Sequence, residues 1–124
     1  MNVAVAAGLV VAGAAGALAR YLLDGFVQDR TAGAFPWGTF VINVSGAFAL
    51  GLLTGAALYH GFPSTPRIVL GTGFCGAYTT FSTFTFESVR LLEEDARTEA
   101  LLNVAGNLVV AVAAAAAGLA LAML

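Results

Sequence analysis

The chain has no lysine, and its 124 residues include one histidine, one cysteine and one tryptophan. Its five arginines and seven acidic residues are 10% of the sequence, far below the roughly 25% charged residues of an ordinary soluble domain. A net charge of −2 lacks the basic footprint that phosphate backbones require, so no nucleic-acid partner is expected. A lone cysteine, Cys75, excludes an intrachain disulfide and reads as a small buried hydrophobe. The only histidine, His60, falls in a turn and reads as a surface residue. Without a Ser-His-Asp set or a His/Cys cluster, nucleophilic and zinc chemistry have no residues to work with, and no enzyme is expected.

What the sequence does have is apolar length. Hydrophobic residues make up 60% of the chain and its mean hydropathy is +0.91. Four apolar segments are read at about residues 3–23, 37–59, 68–92 and 100–123. Each is long enough for a hydrocarbon core of roughly 30 Å. The expectation is one all-α membrane domain over residues 1–124, with no soluble head. The N-terminus has no basic stretch before its apolar run, and that run can span, so it reads as the first helix rather than a cleaved signal. Small residues are spaced for close helix contact: Gly13, Gly16 and Ala17, then Gly51 and Gly55, then Gly106 and Gly118. In lipid such positions drive helix association, within the chain and with another copy.

The polar residues inside these segments carry the chemistry. Arg20, near the end of the first, suits either snorkelling or a functional charge. Asn43 lies mid-segment with Thr39 one turn before it. Its carboxamide offers two N–H donors, for interhelical bonding or for a ligand. Asn103 and Asn107 are one turn apart and share a face. The stretch "GTGFCGAYTTFSTFTFE", residues 71–87, sits in the third segment. Gly71, Gly73 and Gly76 weaken that helix, and Thr79, Thr80, Ser82, Thr83 and Thr85 can satisfy the backbone groups set free. Irregular backbone at membrane depth survives only when it is buried in protein or lines a wet cavity. Freed carbonyls suit a small hard cation. Phe81 and Phe84, spaced i, i+3, can face one passage with the positive ring edges that attract an anion.

At these residues the sequence resembles the CrcB/Fluc family of fluoride channels. The motifs are "GAAGALARY" (13–21), "PWGTFVINVSGAFALG" (36–51), "GTGFCGAYTTFSTFTFE" (71–87) and "ALLNVAGN" (100–107), so the resemblance covers nearly the whole chain in order. It implies passive fluoride efflux across the cell inner (plasma) membrane by an antiparallel, dual-topology dimer, with the third helix broken near mid-membrane. It also implies two pores and a central structural sodium ion. Asn43, Phe81 and Phe84 correspond to pore-lining positions, with Thr39, Glu87 and the hydroxyls of Ser82 and Thr83 nearby and Arg20 at the vestibule. Gly76 and Thr79 correspond to the positions whose backbone carbonyls hold the sodium. The family's run of polar residues on the fourth helix is shortened here to Asn103 and Asn107, with Ala111 next.

Two other readings stand beside it. A small proton-coupled multidrug-type exporter also has four helices, but it needs a carboxylate at membrane depth. The only acid inside the apolar segments is Glu87, beyond the aromatic cluster. The arginines pose the second question. Arg20, Arg30, Arg90 and Arg97 fall towards one side and Arg67 alone on the other. Such a bias favours one insertion direction, so the second subunit is either another copy or a homologous chain of opposite bias.

Overall fold

The computed structural model describes residues 1–124, which form helices and connecting turns with no strand. Asn2 caps the first helix, its side-chain oxygen accepting the Val5 N–H at 2.9 Å. Helix α1 then runs Val3–Gln28, past the end at Leu23 read from the sequence. The extra turn is held by side chains four residues apart, Gln28 Nε2 donating to Asp24 Oδ2 at 2.8 Å. Pro36 stands just before α2, Trp37–His60, where a residue without an N–H loses nothing. Gly61 ends α2 in the left-handed region at φ +64°, which lets its own N–H and that of Phe62 both reach the Ala56 carbonyl.

The third segment is built in pieces. It opens as α3, Ser64–Ile68, widens into a π-helical stretch, Val69–Cys75, and returns to one α turn, α4, Gly76–Tyr78. Residues 79–81 leave the helix, Thr79 taking the extended values φ −78° and ψ 160°. Helix α5, Ser82–Glu93, resumes the path, and Asp95 at φ 59° turns the chain into α6, Arg97–Leu121. The glycines at 71, 73 and 76 therefore stay helical, and the interruption falls just downstream of them on hydroxyl-bearing residues. Helices α1, α2 and α6 are each long and apolar enough to cross a membrane. The divided third segment makes the fourth rod of the bundle.

Packing follows the small residues. A methyl group on Gly51 would strike the Ala115 carbonyl, and one on Gly118 would strike the Phe48 carbonyl. Helices α2 and α6 thus touch backbone to backbone, the geometry small residues permit in lipid. Gly16 lets α1 lie against the Phe74 carbonyl of the π stretch in the same way. The interior is thin and unusually polar. Five buried side chains are apolar (Ile42, Cys75, Tyr78, Leu91, Ala100) and four are polar (Thr39, Ser88, Asn103, Asn107), so hydrogen bonds share the task of registering the helices.

These contacts set a stability contrast. Gly118→Ala should destabilise the protein by about 1–3 kcal/mol, because the overlap is with rigid backbone. Gly25→Ala, with nothing within 4 Å of its new methyl, should be neutral or gain up to about 1 kcal/mol of helix propensity. Thermal unfolding in detergent, compared with the parent protein, measures both.

Candidate functional site

The interruption at 79–81 is where the polar side chains meet. The Thr79 N–H still reaches the Cys75 carbonyl at 2.9 Å, and the Thr79 hydroxyl donates to the same carbonyl at 2.9 Å. One residue later the helix is abandoned. The Thr80 N–H donates to Asn43 Oδ1 at 2.9 Å, and Asn43 Nδ2 donates back to the Thr80 carbonyl at 3.0 Å. A main-chain nitrogen can only donate and its carbonyl only accept, so this double bond fixes which end of the carboxamide is which. The Thr80 hydroxyl accepts the Thr83 N–H at 3.1 Å, as an N-cap does, and so starts α5.

From Asn43 a file of hydrogen bonds crosses the bundle. Its Nδ2 lies 3.4 Å from Asn107 Oδ1. Asn107 Nδ2 donates to the carbonyl and side-chain oxygens of Asn103, at 2.7 and 2.8 Å. Asn103 Nδ2 donates to Ser88 Oγ at 2.9 Å, and Ser88 Oγ donates to the Phe84 carbonyl at 2.8 Å. Asn103 is 0% exposed, which matches its full set of partners. Asn43 Nδ2 thus has two partners within the chain, the Thr80 carbonyl at 3.0 Å and Asn107 Oδ1 at 3.4 Å.

Two cavities flank the break. A groove of about 560 Å³ is lined by Asn43, Thr79, Phe81, Phe84, Asn107 and Ala111, among others. Its aromatic pair has ring centroids 6.0 Å apart, tilted by 44°. Phe81 is 78% exposed, so one chain leaves this ring uncovered. A smaller cavity of about 180 Å³ is lined by Arg20, Asp24, Thr39 and Thr83. Thr80 borders both cavities, which makes the clamped turn the wall between them. Arg20 Nη1 donates across this wall to the Thr79 carbonyl at 3.3 Å. Thr39 donates its hydroxyl to Glu87 Oε1, and Glu87 opens on a separate cavity beside Arg90. Ser82 lies exposed, its hydroxyl 3.4 Å from that of Thr80. The sequence-derived set thus divides into Asn43, Phe81, Phe84 and Asn107 in the groove, Arg20, Thr39 and Thr83 in the second cavity, Glu87 at Thr39, and Ser82 outside both.

No group of three or more His, Cys, Asp or Glu residues could hold a metal ion, so any cation must use other oxygens. The end of α4 supplies them. The Thr80 N–H, which a continuing helix would give to the Gly76 carbonyl, goes to Asn43 instead, and Gly76 is exposed. The Thr79 carbonyl keeps a second lone pair beside its Arg20 contact. A carbonyl pair at the end of a half-helix fits a small hard cation, with the Arg20 charge opposing it at one ligand.

Two contributors, Asp24 and Ser88, escaped the sequence reading, and a third, Thr80, acts through different atoms. Asp24 falls just outside the apolar segment 3–23, yet it stands on α1 one turn from Arg20 and borders the same cavity. Its Oδ1 is buried without a hydrogen-bond partner, against Gly38. The four-residue spacing of Arg20, Asp24 and Gln28 was the available signal. Ser88 is one turn after Phe84, a spacing that by itself says little. Thr80 was grouped with its neighbouring hydroxyls, although its main chain is what the site holds.

Residues 7–119 match the family described as "CrcB-like protein, Camphor Resistance (CrcB)". The chain is similar to "Fluoride-specific ion channel FluC 1" of Frankia casuarinae, 50% identical over 120 residues that cover 92% of this chain and 93% of the relative. It is also similar to proteins of that name from Leifsonia xyli, 49% identical over 90% of this chain and 81% of the relative, and from Streptomyces avermitilis, 49% identical over 89% and 90%. These relatives are named as ion channels, not enzymes.

The buried file predicts a coupled pair. Asn103→Leu and Ser88→Ala should each cost about 1–2 kcal/mol, the upper part of the range for hydrogen bonds between membrane helices. The double variant should cost clearly less than the sum, because each removes the same bond. Additive losses in detergent unfolding would show that the bond contributes nothing.

Proposed function

The chain belongs to the CrcB family, and on that premise we propose that it is a passive, fluoride-selective channel that lowers cytoplasmic fluoride. It is a multi-pass protein of the plasma membrane, with α1, α2 and α6 as apolar spans. The observation that carries the reading is the interrupted third segment, whose turn separates an aromatic groove from a cavity holding an arginine.

Fluoride is small and strongly hydrated, so a passage must offer donors and positive edges where water is stripped. Arg20 raises the local anion concentration at its cavity. Phe81 and Phe84 present ring edges along the groove, beside the amides of Asn43 and Asn107. Thr39, Ser82 and Thr83 add hydroxyls, and Glu87 holds the Thr39 hydroxyl. One chain cannot close such a passage, since Phe81 stands exposed and the groove is open. An inverted second subunit, another copy or a homologous chain, completes it and makes two pores. The carbonyls of Gly76 and Thr79 would hold a sodium ion, which would supply positive charge at the end of α4. The exporter reading needs a carboxylate in the groove, and the groove has none.

Liposomes bearing the purified protein should lose fluoride rapidly and retain chloride. Equal release of both ions overturns the channel reading, and flux that collapses without a proton gradient favours the exporter. Arg20→Gln should slow fluoride flux several-fold at low ionic strength, with the deficit shrinking as salt screens the charge. Arg20→Lys should recover most of it. A deficit that does not depend on salt would limit Arg20 to bracing the Thr79 carbonyl.

A further inference from the structure

The partner choice of one main-chain group sets the state of the turn. After the π-helical stretch the last rung is an α-type one, with the Thr79 N–H on the Cys75 carbonyl. The next rung would place the Thr80 N–H on the Gly76 carbonyl. Asn43, reaching in from α2, takes that N–H at 2.9 Å and returns a bond to the Thr80 carbonyl at 3.0 Å. The exchange resembles one step of an antiparallel ladder, with a side-chain amide in place of a second strand. Thr79 is free to hold ψ 160° because both polar groups of the following residue are satisfied.

We propose that Asn43 is a positioning residue for the cation site: by capturing the Thr80 N–H it keeps the Gly76 carbonyl open, and so links that site to the groove its own amide borders. This rests on the reading that the carbonyls of Gly76 and Thr79 hold sodium. Without the Asn43 amide, the part-buried Thr80 N–H and carbonyl lose their partners within the chain, which is costly. The nearest repair is to swing Thr79 back to helical ψ and close the rung onto Gly76. That repair consumes a cation ligand. Substitution at Asn43 therefore acts at Gly76 through the main chain of Thr79 and Thr80.

A proline at position 80 separates this from a general packing defect. Thr80→Pro has no N–H to give to Gly76, and the extended Thr79 is the conformation a residue before proline requires. The full-length protein, purified in detergent, is heated in sodium chloride and in an equal concentration of the chloride of a bulky organic cation. The parent protein should unfold at a higher temperature in sodium. Asn43→Leu should lose that sodium-dependent shift. Adding Thr80→Pro to Asn43→Leu should bring it back, whereas adding Thr80→Ala, which keeps the N–H but drops the hydroxyl, should not. If the proline variant fails to fold, a residue-80 ester made with the α-hydroxy acid of threonine removes the same N–H and should also restore the shift. A full shift in Asn43→Leu, or no restoration by either N–H-deleting change, overturns the proposal. A parent protein indifferent to sodium overturns the cation reading on which it rests.

Discussion

A peptide N–H or C=O without a partner in apolar surroundings costs several kcal/mol, and the interruption at 79–81 frees such groups from the helix. Polar side chains from α1, α2 and the turn itself answer that demand. Asn43 pairs with both main-chain groups of Thr80, and Arg20 donates to the Thr79 carbonyl. The Thr80 hydroxyl receives the Thr83 N–H in the first turn of α5. The turn is thereby rigid rather than loose, a requirement for any site that must present oxygens or ring edges at fixed positions.

The same demand explains the composition of the core. A bundle in lipid gains little from burying apolar side chains, because the surroundings are equally apolar. Its helices are registered instead by backbone contact at glycines and by buried hydrogen bonds. The α2–α6 contact at Gly51 and Gly118 brings Asn43 and Asn107 to 3.4 Å between polar atoms. The bond from Asn103 to Ser88 then ties α6 to α5, and through the Phe84 carbonyl to the aromatic pair. The shortened polar run on α6 is thus a brace between the turn and the phenylalanines, and Ala111 marks where the groove becomes apolar.

Charge is placed with equal economy. Arg20 is the one arginine within reach of the turn, and Asp24 borders the same cavity, so the field there is mixed rather than simply positive. Glu87 lies away from the groove on the Thr39 hydroxyl, which leaves the groove free of formal charge.

The sequence by itself determined the class of the protein. Sparse charge and four apolar lengths dictate helices in a membrane, because only a helix satisfies its backbone without outside help there. The motifs of the second and third segments, through the family they resemble, marked Asn43, Phe81 and Phe84 as a group. Only the tertiary structure decided where the helix breaks and what each amide does. Glycine at 71, 73 and 76 weakens a helix locally, but the rung that opens is the one a partner on another helix can replace, and that partner, Asn43, lies 37 residues away in sequence from Thr80. Asp24 was hidden for a similar reason: its helix continues past the apolar run, held by a Gln28 contact and by packing on Gly38. Hydrophobic pattern reports what faces lipid, whereas the pairing of buried polar groups depends on which helices touch.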